Sequence, residues 1–289
     1  MSPAAYSMMP AAALGLFLLA ALLPESLPGL GPLALDTLTE AAALGVPLLV
    51  FGLIGRKSCP LRFRLRFSRF RFIPFVLSAS AAVSLFSFFS SYLTASLLGG
   101  AALRDMVYGP FVHYGGTPGW LLALALGLAP ALMEEIFFRG GLFSGLEDWG
   151  QPAATLISSL CFAMVCGSAA TFLGLLVSGL VFGYMTAATD SIWPAAAGRL
   201  IHNLVNLAMG YALRRYAVFG AWPYLMILGA ALLFLCTYLA AACLESLLAK
   251  GRVRRLRGGK GPQAALSRVL CPGVLATAAL FAVKIVWIK

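Results

Sequence analysis

Charged side chains are scarce in this sequence, and their scarcity excludes a soluble fold. Only 11% of the 289 residues are charged, whereas 61% are hydrophobic, which is more apolar material than a water-surrounded core can bury. The apolar residues occur in long unbroken runs and lack the alternation of barrel strands. Because backbone groups in lipid must bond within their own segment, the sequence predicts an all-α, polytopic membrane helix bundle.

Paired cysteine spacings are also missing. No Cys-x-x-Cys pair occurs, and most of the cysteines lie inside apolar runs, which is typical of small packing residues rather than of a disulfide scaffold. The six are Cys59, Cys161, Cys166, Cys236, Cys243 and Cys271. Residues 1–9 lack lysine and arginine, so the run from Pro10 to Leu23 makes a poor secretory signal and is interpreted as a first span.

Nine apolar runs approach the roughly 20 residues needed to cross about 30 Å of hydrocarbon. They lie at 10–24, 38–55, 73–98, 119–146, 153–166, 169–188, 192–212, 222–248 and 269–288. The first and fifth are the shortest. These runs predict about eight or nine transmembrane segments.

Two loops carry most of the positive charge and no negative charge. Fourteen of the 21 basic residues lie in Arg56–Arg71 and Lys250–Arg268. Since positive loops stay in the cytoplasm, we expect both loops and the N-terminus there, in a bacterial-type plasma (inner) membrane. Six runs between the loops agree with this, although Arg214 and Arg215 then lie on the outer side.

The alternating Arg-aromatic stretch Arg62–Phe67 resembles a strip on which nucleic-acid bases stack. Its position beside apolar spans favours a bilayer with anionic headgroups as its partner, and no nucleic-acid partner is expected. The chain is then divided into three parts: N-terminal spans (1–118) with a basic loop at 56–72, a core (119–212), and C-terminal spans (213–289) with a basic loop at 249–268.

Ionisable residues inside membrane spans are costly and are retained mainly for function. Met133–Arg139 contains two adjacent carboxylates and an arginine. Glu135 and Arg139 are four residues apart and share a helix face, which predicts an ion pair. Glu134 points about 100° away. It has no partner in this motif, and it suits a general base.

A second polar segment, Arg199–Asn206, places His202 and Asn206 four residues apart on one face. An imidazole and an amide can together hold a developing oxyanion. At about 1.5 Å per residue, Glu134, Cys166 and His202 all lie roughly 15 to 20 Å from the same end of their helices. The short helix that ends at Cys166 must then point into the bundle and be covered by protein.

These residues resemble the CAAX-protease and bacteriocin-processing (CPBP, or Abi) family of intramembrane endopeptidases over roughly residues 119–212. That family carries Glu-Glu-x-x-x-Arg, Phe-x-x-x-His and His-x-x-x-Asn on successive helices. Glu134–Arg139 matches the first motif and His202–Asn206 the third. The resemblance implies a glutamic peptidase in which Glu134 activates water, Glu135 and Arg139 support it, and His202 with Asn206 stabilises the oxyanion. It also implies a membrane-anchored protein or peptide as substrate.

The second motif departs from this pattern, because Phe162 is followed by Cys166 where the family has histidine. Three roles stay open for Cys166: a spectator in a weakened enzyme, a thiolate nucleophile activated by His202, or a zinc ligand. No cofactor is otherwise expected. His113, in an outer loop, is a poor substitute for the missing imidazole. The rival functions are a non-catalytic scaffold or immunity protein and a transporter.

Overall fold

The computed structural model describes residues 2–22, 31–55, 63–67, 70–99, 113–216, 222–253, 256, 258 and 268–287. Within these ranges the chain forms nine helices and no strand, which confirms the predicted all-α bundle. The helices are α1 (Pro3–Ala20), α2 (Pro32–Gly55), α3 (Phe70–Leu98), α4 (Gly119–Trp149), α5 (Gln151–Cys166), α6 (Phe172–Thr189), α7 (Trp193–Tyr216), α8 (Trp222–Ala249) and α9 (Pro272–Trp287).

Six of these helices are long and apolar enough to cross a membrane by length and composition: α1, α2, α3, α4, α6 and α8. Their large exposed apolar side chains, such as Leu53 and Phe234, suit contact with lipid. The 16-residue helices α5 and α9 are shorter than the hydrocarbon is thick. Helix α7 is long enough but carries polar residues such as His202. The structure thus supports six crossings by length and composition, and the further two or three that the sequence predicts stay a prediction.

Small residues let α5, which carries the second motif, pack closely against α6. Gly179 of α6 lies against Ser159 of α5, and a Cβ at Gly183 would come within 2.9 Å of the Thr155 side chain. Close approach through small side chains is the usual way in which membrane helices associate. Helices α5 and α6 thus form a tight hairpin, and α6 packs in turn on α3 and α7.

The described parts of both basic loops lie at one end of the bundle. Trp193 Nε1 donates a hydrogen bond of 2.8 Å to the Leu65 carbonyl, at the start of α7. Arg268 donates to the carbonyl of Trp149, at the end of α4. Helices α4 and α7 run in opposite directions from these contacts, so both loops meet the same end. Arg254, expected beside them, lies outside the described residues.

Arg64 is occupied by protein partners rather than by lipid. Its guanidinium forms ion pairs with Glu147 and with Asp190, the latter at 2.9 Å, and its side chain is only 5% exposed. It also lies 5.0 Å from the centre of the Phe143 ring. Two carboxylates thus hold Arg64 against the bundle, and contact of the strip with headgroups stays a prediction.

Candidate active site

The ion pair within the first motif is present as predicted. Arg139 Nη1 lies 3.0 Å from Glu135 Oε1, and both side chains are completely buried. Arg139 Nη2 also donates a hydrogen bond of 3.0 Å to the Gly179 carbonyl of α6. The two opposite charges therefore offset each other inside α4, and the hydrogen bond to Gly179 ties α4 to α6.

Helix α4 is locally widened around the two glutamates. Residues Ile136–Leu142 and Ala123–Leu128 form π-helical turns, and the α-helical stretch Ala129–Glu135 between them carries both carboxylates. Such turns are frequent at functional sites, because the extra residue per turn rotates the side chains that follow it. The widening changes where Arg139 points relative to Glu134.

Glu134 has an ionic partner that the first motif does not supply. Arg199 Nε of α7 donates a hydrogen bond of 2.6 Å to Glu134 Oε2, and the two side chains are 1% and 10% exposed. Within the first motif Glu134 has no partner, as expected, and its partner comes from α7. Arg199 lies 65 residues further along the chain, so no spacing within the motif could reveal it.

Phe162 of the second motif contacts both buried arginines. The guanidinium carbon of Arg199 lies 3.9 Å from the centre of the Phe162 ring, and that of Arg139 lies 5.2 Å from it. Cations over an aromatic face are attracted by the ring quadrupole. Phe162 thus joins the first and third motifs through α5.

Cys166 is the last residue of α5, and protein covers this helix end as expected. Lys284 Nζ of α9 donates hydrogen bonds of 2.8 Å to the carbonyls of Val165 and Gly167, which flank Cys166. A cation at a helix C-terminus satisfies free carbonyls and complements the helix dipole. A Cβ at Gly167 would lie 2.2 Å from the Ala163 carbonyl, so only glycine fits this close turn.

A cavity of about 370 Å³ connects the second and third motifs. Cys166, His202 and Asn206 line it, together with apolar side chains such as Phe88 and Leu175. Its size suits a small ligand or a few residues of a peptide. Glu134 is not among its lining residues, although it lies close enough to Cys166 to interact electrostatically.

His202 and Asn206, the residues expected to hold an oxyanion, are oriented by α7 itself. Asn206 Nδ2 donates a hydrogen bond of 2.7 Å to the His202 carbonyl, which leaves its second N–H for another acceptor. Nδ1 of His202 is buried without a hydrogen-bond partner among the described residues. Both side chains therefore keep hydrogen-bonding capacity at the cavity wall.

Sequence reasoning did not foresee the role of Arg199 as the partner of Glu134, and it missed two further charged residues near the motifs, Glu40 and Lys284. Glu40 of α2 is close enough to Glu134 and Arg199 to interact electrostatically with both. Each of the three lies in an apolar run or helix, so the cost of charge in a membrane span was a signal that could have found them. Glu40 and Lys284 lie outside the three motifs, and Arg199 lies just before the third.

His113 lies outside this cluster, as expected. Its Nε2 is 3.2 Å from Asp36 Oδ2, at the end of α2 opposite to the basic loops, and its side chain is 40% exposed. The hydroxyl of Tyr114 donates a hydrogen bond of 2.7 Å to the same carboxylate. Partial burial, with this hydrogen bond, raises the pKa of Tyr114.

Cys166, His202 and Glu134 are the side chains that a zinc ion near the motifs would need as ligands. Nowhere in the described residues do three histidine, cysteine, aspartate or glutamate side chains converge as a ligand set. Cys166 and His202 share the cavity wall, whereas Glu134 is directed to Arg199. In this arrangement the three side chains do not converge on one point as zinc ligands would.

The comparison with known families agrees with the motifs. A family model described as "Type II CAAX prenyl endopeptidase Rce1-like" matches residues 116–208. This match includes Glu134, Cys166, His202 and Asn206. It confirms the resemblance to the CPBP family and supports a membrane endopeptidase in general terms. No curated protein and no solved structure matches the chain.

Proposed function

We propose that this protein is a membrane-embedded endopeptidase that cleaves a peptide bond near the C-terminus of a membrane-anchored substrate, such as a lipidated or sorting tail. The observation that carries the proposal is the convergence of the motifs. Glu134 of the first is bonded to α7, which carries the third, and Cys166 of the second shares a cavity with His202 and Asn206. The family match covers the same residues.

In this proposal Glu134 acts on water held between it and the cavity. Its carboxylate accepts one water proton as the oxygen attacks the scissile carbonyl, and a C–O bond forms. His202 and Asn206 donate hydrogen bonds to the resulting oxyanion. Glu134 then delivers the proton to the departing amine as the C–N bond breaks, which leaves a carboxylic acid and an amine.

A cysteine-dependent variant is the second candidate. One observation favours it: Cys166 and His202 line the same cavity, so the imidazole could accept the thiol proton. Against it, a cysteine in apolar surroundings holds little thiolate. Glutamate chemistry is therefore preferred.

Peptide release from membranes tests the proposed function. Membranes that contain the wild type should release peptides that are absent with Glu134→Gln, as detected by mass spectrometry. Glu245→Gln is the matched control, because Glu245 is an exposed carboxylate on the membrane helix α8. Identical peptides from wild type and Glu134→Gln would contradict a role of Glu134. Failure of the wild type to release any peptide would favour the scaffold.

A further inference from the structure

Cys166 leaves Glu134 without a strong hydrogen-bond donor from α5. A thiol is a weak donor, whereas a carboxylate inside an apolar bundle needs strong donors to stay charged. The structure shows where such a donor comes from: Arg199 Nε of α7, at 2.6 Å.

The position of Arg199 relative to Cys166 is defined by Phe162. Phe162 and Cys166 are four residues apart and therefore share one face of α5. The Arg199 guanidinium carbon lies 3.9 Å from the centre of the Phe162 ring. The cation thus lies over the face of α5 that carries the cysteine.

The hydrogen bonding of Arg199 is incomplete in a way that points to a ligand. Nη1 is buried, and it has no hydrogen-bond partner among the described residues. Buried donors are normally satisfied by protein or by ordered water. Nη1 lies on the guanidinium edge away from the Nε–H that binds Glu134, so it can donate to a second acceptor.

We propose that Arg199 is a positioning residue that orients the Glu134 carboxylate, in place of the donor that Cys166 does not provide. The inference rests on the proposed function. Because a guanidinium stays protonated at all relevant pH values, Arg199 cannot accept a proton from water or pass one to the leaving group. It acts through Glu134, which alone transfers the proton.

Reciprocal rescue tests this assignment. Arg199→Gln should lower kcat at least tenfold with little change in KM, since it removes the cation that orients Glu134. Adding Cys166→His to Arg199→Gln should restore at least part of the lost kcat, because an imidazole on the same face of α5 offers a new N–H donor. A purely structural role for Arg199 predicts no such rescue.

Two further variants keep the outcome interpretable. Arg199→Lys preserves the charge and protects folding, and it should retain more activity than Arg199→Gln but less than the wild type, because an ammonium lacks the planar fork. Arg214→Gln, an exposed arginine on the same helix, should behave like the wild type. Full activity of Arg199→Gln, or a double variant no better than Arg199→Gln, would overturn the inference.

A melting experiment separates this inference from the proposed function. If the wild type releases no peptide, the proposed function fails, and thermal melting of Glu134→Gln, Arg199→Gln and the double variant in detergent still tests the pair. Direct coupling predicts that the double variant loses less stability than the two single losses combined. Additive losses would show that Arg199 does not hold Glu134.

Discussion

Two buried ion pairs begin at adjacent residues of α4 but differ in where their partners lie. Glu135 pairs with Arg139 in the same helix, and neither side chain is exposed. Glu134 pairs with Arg199 of α7, and its side chain keeps 10% exposure. The first pair holds the bundle together, whereas the second joins two motifs beside a cavity. Under the proposed function, the adjacent carboxylates serve stability and chemistry separately.

The stability of the two glutamine variants should separate the pairs most strongly. Glu135→Gln leaves Arg139 buried without a counter-charge, and we expect a loss of roughly 3 to 5 kcal/mol. Glu134→Gln should cost less, because a glutamine oxygen still accepts from Arg199 and the site is slightly exposed. Abundance in membranes and thermal melting in detergent measure both. Equal losses would show that the pairs do the same structural work.

The second comparison concerns the end of α5, where Cys166 meets the cavity. Lys284→Met removes two hydrogen bonds to the carbonyls beside Cys166, which should cost about 1 to 3 kcal/mol. It should also speed alkylation of Cys166 in a variant that retains only this cysteine. Lys250→Met, an exposed lysine at the end of α8, is the control. Unchanged alkylation would mean that Lys284 does not fix this helix end.

Cys166→His should change the protein less than the substitutions at Glu134, Glu135 and Lys284 do. With glutamate-activated water, the variant should match or exceed the wild type in peptide release, because the imidazole adds a donor near Glu134. With a cysteine nucleophile it should be inactive, and an alkylating reagent should inactivate the wild type. With zinc it should be active, but a chelator should inactivate both proteins.

Helix orientation involves no change in stability, but it determines from which side a substrate reaches the pairs. Single cysteines at Arg66, Gly115 and Leu256, all exposed positions, can be labelled from either face in a background without the native cysteines. The positions at Arg66 and Leu256 should label from one side and that at Gly115 from the other. Labelling of Arg66 and Leu256 from opposite faces would refute the even number of spans between the basic loops.

Local patterns predicted the parts of the structure that depend on one helix at a time. Apolar runs gave the nine helical segments, and the four-residue spacing gave the Glu135–Arg139 pair. The pairing of Glu134 with Arg199 depends on how α4 and α7 are rotated about their axes. The π-helical turns of α4 alter that rotation, and they have no signal in the apolar pattern.

Contacts made by residues outside the 119–212 core were also not predictable from the sequence. Lys284 lies more than 100 residues beyond Cys166 in the chain, yet it binds the carbonyls on either side of it. Arg64 belongs to a loop that the charge pattern assigned to the membrane surface, but Glu147 and Asp190 bind it. Charge counts predict which side a loop prefers, whereas the partner of each charge is decided by tertiary packing.

The Glu134–Arg199 pair also constrains the order in which the protein is assembled during synthesis. A charged residue near the centre of an inserting helix costs roughly 3 kcal/mol. Arg139 follows Glu135 within α4 and can offset its charge at once, but Arg199 emerges from the ribosome 65 residues after Glu134. We expect α4 to be held loosely at the insertion machinery until α7 arrives. In nascent chains that end before Trp193, a single cysteine placed in α4 should react with a water-soluble maleimide, and in chains that extend beyond Tyr216 it should be protected.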